Sequence, residues 1–183
     1  MTSNESGLTF EPIAEGDIPE LTRVMTHAFD DDARKHLGLE RGGPPGYDNG
    51  DFFRQWPFGY DETDGYKVLR AGRVIGGAIV WILPDGHNVL GTIFVDPNVQ
   101  DQGVGAQIWQ FVEARYPETQ SWRLVTPCWA AKNHHFYAAR CGFARVGSDP
   151  IVGSPEGEFV YRKDMAKLAG DGVDPRLAAH AED

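Results

Sequence analysis

Two segments of the 183-residue chain combine residue types and spacings that can do chemistry. The first is Ile93-Phe94-Val95-Asp96-Pro97-Asn98-Val99-Gln100-Asp101-Gln102-Gly103-Val104-Gly105-Ala106. An apolar strand pattern ends at Val95, a short loop follows, and Gly103 and Gly105 open a helical pattern. The first turn of a helix presents unpaired backbone N–H groups and the positive end of the dipole, which suits phosphate. Glycine there lets a ligand approach the backbone and permits dihedrals closed to other residues. Two phosphate motifs are excluded: the dinucleotide fingerprint needs a third glycine where Ile108 stands, and the P-loop needs Gly-Lys-Ser/Thr, which is absent. The second segment is Asn133-His134-His135-Phe136-Tyr137-Ala138-Ala139-Arg140-Cys141-Gly142-Phe143. Asn133 and Tyr137 are four apart, so a helix sets both on one face of a cleft. By residue type alone, Tyr137 reads as a phenol proton donor or as a core tyrosine, and Asn133 as a ligand group or a helix cap. No metal site is expected. Cys128, His134, His135 and Cys141 include no Cys-x-x-Cys, and adjacent helical histidines diverge by about 100°. The run Asp30-Asp31-Asp32 lacks the glycine and terminal glutamate of a calcium loop.

Together the two segments resemble the signatures of the GNAT superfamily of acyl-CoA-dependent N-acyltransferases. Val95, Pro97, Gln100, Gly103 and Gly105 occupy its Val-x-Pro and Gln/Arg-x-x-Gly-x-Gly/Ala positions in order, and Asn133, Tyr137, Gly142 and Phe143 resemble its Asn…Tyr…Gly-Phe element. The resemblance runs from Leu8 to about Lys163. It implies an α/β (α+β) fold: a mixed, mostly antiparallel twisted sheet flanked by helices and splayed centrally, with acetyl-CoA as cosubstrate in the V and no metal. By the same resemblance, backbone groups of Phe94 and Val95 would pair with the pantetheine arm as an added strand. Amides of Gln102, Gly103, Val104, Gly105 and Ala106 would hold the pyrophosphate beside Gln100, Asn133 would hydrogen-bond the cofactor arm, and Tyr137 would protonate the departing thiolate.

Thioester aminolysis needs a neutral amine, so a base or a water chain must take its proton. The oxyanion needs a donor, most simply a backbone N–H near Val95. Direct transfer needs no covalent enzyme intermediate, so neither Cys128 nor Cys141 is required. Many members of the family carry a Glu on the strand matching Asn88–Val95, and this strand has no carboxylate. His87 at the strand's start, or one of Asp30, Asp31 and Asp32 acting through water, are the candidate bases. The alternatives are an acyl-CoA-binding module of this type with little catalysis, and an unrelated α/β domain taking another phosphate ligand.

The elements that must position these groups are legible in the pattern. A strand is expected over Leu8–Ile13. A helix follows, with Asp17 as cap, Pro19 in its first turn, Glu20 completing a capping box, and Ile18, Leu21, Met25 and Ala28 on one face. The three aspartates fall at its end, where the dipole disfavours them, so either something offsets the cost or the helix has already ended there. Residues 38–64 form a long aromatic loop with a short helix from about Asp48 or Asn49. Tyr66–Leu69 and Val74–Leu83 flank the Arg70-Ala71-Gly72-Arg73 turn as a hairpin, and Asn88–Val95 is the next strand. Helices over Gly103–Arg115 and Ala131–Arg140 alternate with strands at Trp122–Thr126, Phe143–Gly147 and Glu158–Arg162. One domain spans 1–165, and 166–183 reads as a polar C-terminal tail.

Composition narrows the partners. Seventeen basic residues against 27 acidic give a net charge of −10, which argues against nucleic acid as partner. Residues 1–64 carry −9 of it, together with six aromatic residues between Tyr47 and Tyr60. Carboxylates and aromatic faces together favour ammonium groups, so the expected acceptor is a small cationic primary amine, with Asp30, Asp31 and Asp32 at its site. No apolar run approaches eighteen residues, and MTSNESGLTF lacks a basic segment and an apolar core, so neither membrane nor export is expected and the location is read as cytoplasmic. Two cysteines make no disulfide framework. Homodimers are common in the resembled family, and the sequence leaves that point open.

Overall fold

Alternating apolar residues from Thr63 to Val95 build an antiparallel meander, around which the other elements assemble. The computed structural model describes residues 2–3, 7–149 and 157–165. In chain order the strands are β1 (Thr2–Ser3), β2 (Leu8–Pro12), β3 (Thr63–Arg70), β4 (Arg73–Trp81), β5 (His87–Val95), β6 (Ser121–Pro127), β7 (Ala144–Asp149) and β8 (Glu158–Asp164). The helices are α1 (Ile18–Leu37), α2 (Asp51–Gly59), α3 (Val104–Arg115) and α4 (Ala131–His135), the last continued by a wide turn over Phe136–Arg140. The strands form one sheet in the order β1-β2-β3-β4-β5-β6-β8-β7. Every neighbouring pair is antiparallel except β5 and β6. The polar tail expected over 166–183 lies outside the described residues.

A single extra residue in β5 organises the centre of the sheet. Ile79 pairs with Thr92 and Val80 with Leu90, so Gly91 is skipped as a β-bulge. Without it Leu90 and Phe94, four apart, would share a face. Instead Leu90 packs with Val104, Ile108 and Val112 of α3, whereas Phe94 packs with Leu21, Met25 and Phe53 on the side of α1 and α2. The bulge requires glycine for space as well: a Cβ at Gly91 would lie 1.8 Å from Cζ3 of Trp81. Gly91→Ala therefore forces Trp81 out of place. We expect a loss of about 3 kcal/mol, the upper range for overpacking, seen as a melting temperature lowered by roughly 6 to 12 °C. An unchanged melting curve would mean the indole has room that its position here does not show.

Three local expectations are corrected. Asp17 stands at the N-cap of α1 as expected, but its side chain makes no cap bond there and no capping box with Glu20 forms: it also ends a one-turn 3-10 helix, where its carboxylate accepts from the Ala14 N–H at 2.8 Å and from Lys67 Nζ at 2.8 Å. Helix α1 does not stop at the aspartates but runs to Leu37, closed by Gly38 in the left-handed region. Arg34 and Lys35 in the following turn pair with Asp31, and basic residues near the C-terminus suit the dipole, which offsets the aspartates. The helix expected over Ala131–Arg140 is α-helical only to His135; from there the Cys141 N–H donates to the Phe136 carbonyl, a five-residue step that widens the turn at Tyr137.

Candidate active site

The parallel pair β5–β6 is hydrogen-bonded only at one end, where His87, Asn88 and Val89 face Ser121, Trp122 and Arg123. That end is sealed by side chains. Asn88 donates to Thr119 Oγ1 at 2.8 Å, and His87 Nδ1 lies 2.8 Å from Ser121 Oγ. Beyond Val89 the strands separate, with β5 remaining on β4 and β6 on β8. A V-shaped cleft opens between them. His87 stands at its closed end, six residues from Ile93, or roughly 20 Å of strand. It is therefore not a base for chemistry in the opening, contrary to the sequence expectation.

The backbone phase of β5 shows which groups face the cleft. The Asp96 N–H donates to the Ile75 carbonyl at 2.8 Å. Alternation then turns the polar groups of Phe94 toward Gly77 on β4, and those of Ile93 and Val95 toward the vacated β6 side. This corrects the assignment of Phe94: its backbone belongs to the β4 ladder and its side chain is buried. Ile93 takes its place, a residue that period-two counting back from Val95 would have found.

After Val95 the chain reverses in one turn of 3-10 helix, Pro97–Val99, whose cap Asp96 accepts from the Asn98 N–H at 3.0 Å. His27 Nδ1 from α1 lies 3.5 Å from the same carboxylate. Asp101 and Gly103 then both take positive φ, 61° and 76°, and deliver the chain into α3. The first helical bond there is from the Gln107 N–H to the Gly103 carbonyl, so the amides of Val104, Gly105 and Ala106 have no acceptor within the helix. No acidic residue stands in this first turn and no side chain caps it. Gly103 faces open space, whereas a Cβ at Gly105 would lie 3.2 Å from the Phe136 ring. Gly105 thus serves close packing of the wide turn onto α3. Two cations flank the loop: Arg70 donates to Gln102 Oε1 at 2.8 Å, and Lys132 to Gln100 Oε1 at 3.1 Å. Gln100 in turn donates to the Val95 carbonyl at 3.3 Å, tying the loop to the end of β5.

The opposite wall carries Asn133 and Tyr137. Ala130, not Asn133, occupies the cap of α4, so Asn133 is free of that duty and donates weakly, at 3.4 Å, to Thr126 Oγ1 on the diverging part of β6. Tyr137 is buried, its ring against Phe136, Phe143 and Tyr161. Among the described residues its hydroxyl has no hydrogen-bond partner. Burial, and secondarily Cys141, push its pKa well above the usual phenol range, so the group is a neutral O–H donor at physiological pH. The Cys141 thiol is likewise pushed up to about 12, chiefly by burial, and is no nucleophile.

The three aspartates separate. Asp30 accepts from Tyr47 Oη at 2.7 Å and from the Gly42 N–H at 3.2 Å, fastening the long loop to α1. Asp31 pairs with Arg34 and Lys35 on its own helix. Both are structural, which corrects their assignment to an acceptor site. Asp32 is half-buried, and burial raises its carboxyl above the ordinary range. No group of His, Cys, Asp or Glu side chains suited to a metal ion occurs among the described residues, and no helix among them is long and apolar enough to cross a membrane.

A model of the acetyltransferase (GNAT) family matches residues 22–143. The chain is 34% identical over 143 residues to YrkN of Bacillus subtilis (strain 168), an uncharacterized protein, covering 78% of this chain and 76% of that one. An acetyltransferase from Thermus thermophilus superposes with a TM-score of 0.68 at 18% identity, over 86% of this chain and 97% of its own. PaiA N-acetyltransferase from Thermoplasma acidophilum, solved in complex with coenzyme A, gives 0.66 at 13% identity, over 86% and 99%. At those identities the two structures speak for the fold.

Proposed function

The chain belongs to the GNAT acetyltransferase family, and we propose that it transfers the acetyl group of acetyl-CoA, bound in the β5–β6 cleft, to the primary amine of a small cationic acceptor. The observation that carries this reading is the cleft itself: a sheet opened beside strand backbone groups, leading to a helix start with free amides and no acid. The residues fit the cosubstrate. Ile93 offers its N–H and C=O, and Val95 its N–H, in the manner of a strand edge, which suits the amides of a pantetheine arm. The amides of Val104, Gly105 and Ala106, with Arg70 and Lys132 nearby, suit a diphosphate.

The chemistry supplied by the cosubstrate is an activated acyl carbon on a thiol leaving group. The remaining work falls to the chain. A backbone N–H of β5 in the cleft is the donor for the developing oxyanion, and it costs no reorganisation because the strand is already fixed on β4. The Tyr137 O–H, held neutral by burial, gives its proton to sulfur as the carbon–sulfur bond breaks. The amine arrives past α1, on the side of the first 64 residues, which carry −9 of the chain's net charge of −10. The acceptor is deprotonated before attack, and a water chain serves for that step because β5 carries no carboxylate.

A direct test measures thiol release from acetyl-CoA against a panel of amines, with acetyl-CoA binding followed by calorimetry. Release that depends on amine, favouring cationic acceptors over neutral amino acid amides, supports the reading. Binding without amine-dependent release overturns the catalytic part, and absence of binding by folded protein overturns the whole.

A further inference from the structure

We propose that Trp56, Tyr60 and Trp81 form an aromatic corner that binds the part of the acceptor still charged during transfer, an alkylammonium group separate from the reacting amine. This rests on the N-acetyltransferase reading above. Val89 is the last residue of β5 paired with β6, and Gly91 stands just beyond it, at the vertex of the cleft. The bulge leaves Gly91 out of the β4 ladder, and it is exposed. A diphosphate at the start of α3, with its arm laid back along Val95 and Ile93, brings the thioester toward that vertex. One face of the sheet is filled there, since Leu90 packs with Val104, Ile108 and Val112. The acceptor therefore reaches the acyl carbon from the face of α1 and α2. On that face the indole of Trp81 lies against Gly91.

Trp81 does not stand alone. The ring of Trp56 meets it at 5.2 Å and 66°, and Tyr60 stacks on Trp56 at 5.7 Å and 23°. The end of α2 and the end of β4 bring the three together, and the connection into β3 fastens them, the Ile82 N–H donating to the Glu62 carbonyl at 2.7 Å. The rings are only partly covered: Tyr60 is 50% exposed, and Trp56 and Trp81 are half-buried. Rings meeting at a steep angle offer two π faces to one small cation. Among the described residues the cations lying over rings are Arg115 on Tyr116, Arg145 on Phe159 and Lys163 on Trp109, so the chain supplies none to this corner. Asp61 and Glu62, both exposed, follow Tyr60 and add negative potential. The reacting amine must be neutral to attack, so the charge held here belongs to a different nitrogen of the same molecule. Diamines and their N-alkylated derivatives have this chemistry, whereas simple monoamines do not.

The test uses a charged and a neutral probe of one shape, choline and 3,3-dimethylbutan-1-ol, in which carbon replaces the ammonium nitrogen. Titrations of the full-length protein are followed by tryptophan fluorescence. Choline should bind about ten-fold more tightly than the alcohol, and that ratio should fall to about two or less in Tyr60→Leu and in Trp56→Leu. Tyr60→Phe, which keeps the ring, should retain it. Tyr60 is exposed, so Tyr60→Leu should melt as wild type and its lost preference cannot be ascribed to unfolding. Choline should also compete with 1,4-diaminobutane as acceptor, raising its apparent KM without changing kcat. A wild-type ratio near one, or a ratio that survives both ring substitutions, overturns the corner as a cation site. Choline binding without competition overturns its role toward the acceptor. The titration requires no acetyl-CoA, so the two levels stay apart. Amine-dependent thiol release without a choline preference removes the corner alone, whereas a choline preference without any such release removes the transfer reading and, with it, the acceptor role.

Discussion

Tyr137→Phe is expected to lower kcat for amine acetylation by about 100-fold or more, the range for loss of a general acid, while acetyl-CoA affinity stays within about two-fold. The hydroxyl is the only atom removed, and among the described residues nothing bonds to it. The substitution should therefore cost less than about 1 kcal/mol of stability, so a fall in rate cannot be ascribed to unfolding. The sign of the pKa shift adds a second check. Burial holds the phenol protonated beyond its ordinary value near ~10, so the wild-type rate should not decline through loss of this proton below about pH 10. An alkaline fall near pH 9 that disappears in the Phe variant would contradict a phenol raised by burial. A kcat retained within two-fold would remove Tyr137 from the reaction and leave leaving-group protonation to water.

The portion of the site that runs with the chain was legible in the sequence, because local rules dictate it. Val95, Pro97 and the two glycines prescribe a strand end, a reversal and a helix start within a dozen residues, and the structure contains them in that order. The spacing of Asn133 and Tyr137 likewise required only a helical turn. What escaped was set by contacts distant in sequence. The bulge at Gly91 is a relation between β5 and β4, and it sends Leu90 and Phe94, four apart, to opposite faces of the sheet. Asp30 looked available as one of three like charges, yet Tyr47, seventeen residues on, claims it. His87 looked like a base at a strand end; only the register with Ser121 reveals that the end is the closed one. Charge and composition indicated the region, and tertiary pairing chose among its members.

Gly103 offers the sharpest test of where the diphosphate is held, because two substitutions there separate backbone from charge. Its φ of 76° lies in the left-handed region, and its missing side chain leaves open space. Gly103→Ala imposes the conformational cost alone, of order 1 to 2 kcal/mol, with no atom to contact. We expect a modest loss of stability and a fall in acetyl-CoA affinity of about ten-fold at most. Gly103→Glu imposes the same strain and adds a carboxylate beside the free amides of α3, competing for them and repelling phosphate. Its affinity should fall about 100-fold or more, or roughly 2.7 kcal/mol. The excess of Glu over Ala is electrostatic, so raising the ionic strength should shrink it, since exposed charges are screened over about 8 Å at physiological salt. Acetyl-pantetheine, which lacks the diphosphate, should barely distinguish the two variants. If Glu and Ala weaken acetyl-CoA equally, the helix start acts only through its shape. If neither weakens it, the diphosphate is held elsewhere, and Arg70 and Lys132 lose their assigned purpose as well, because their position depends on the same loop.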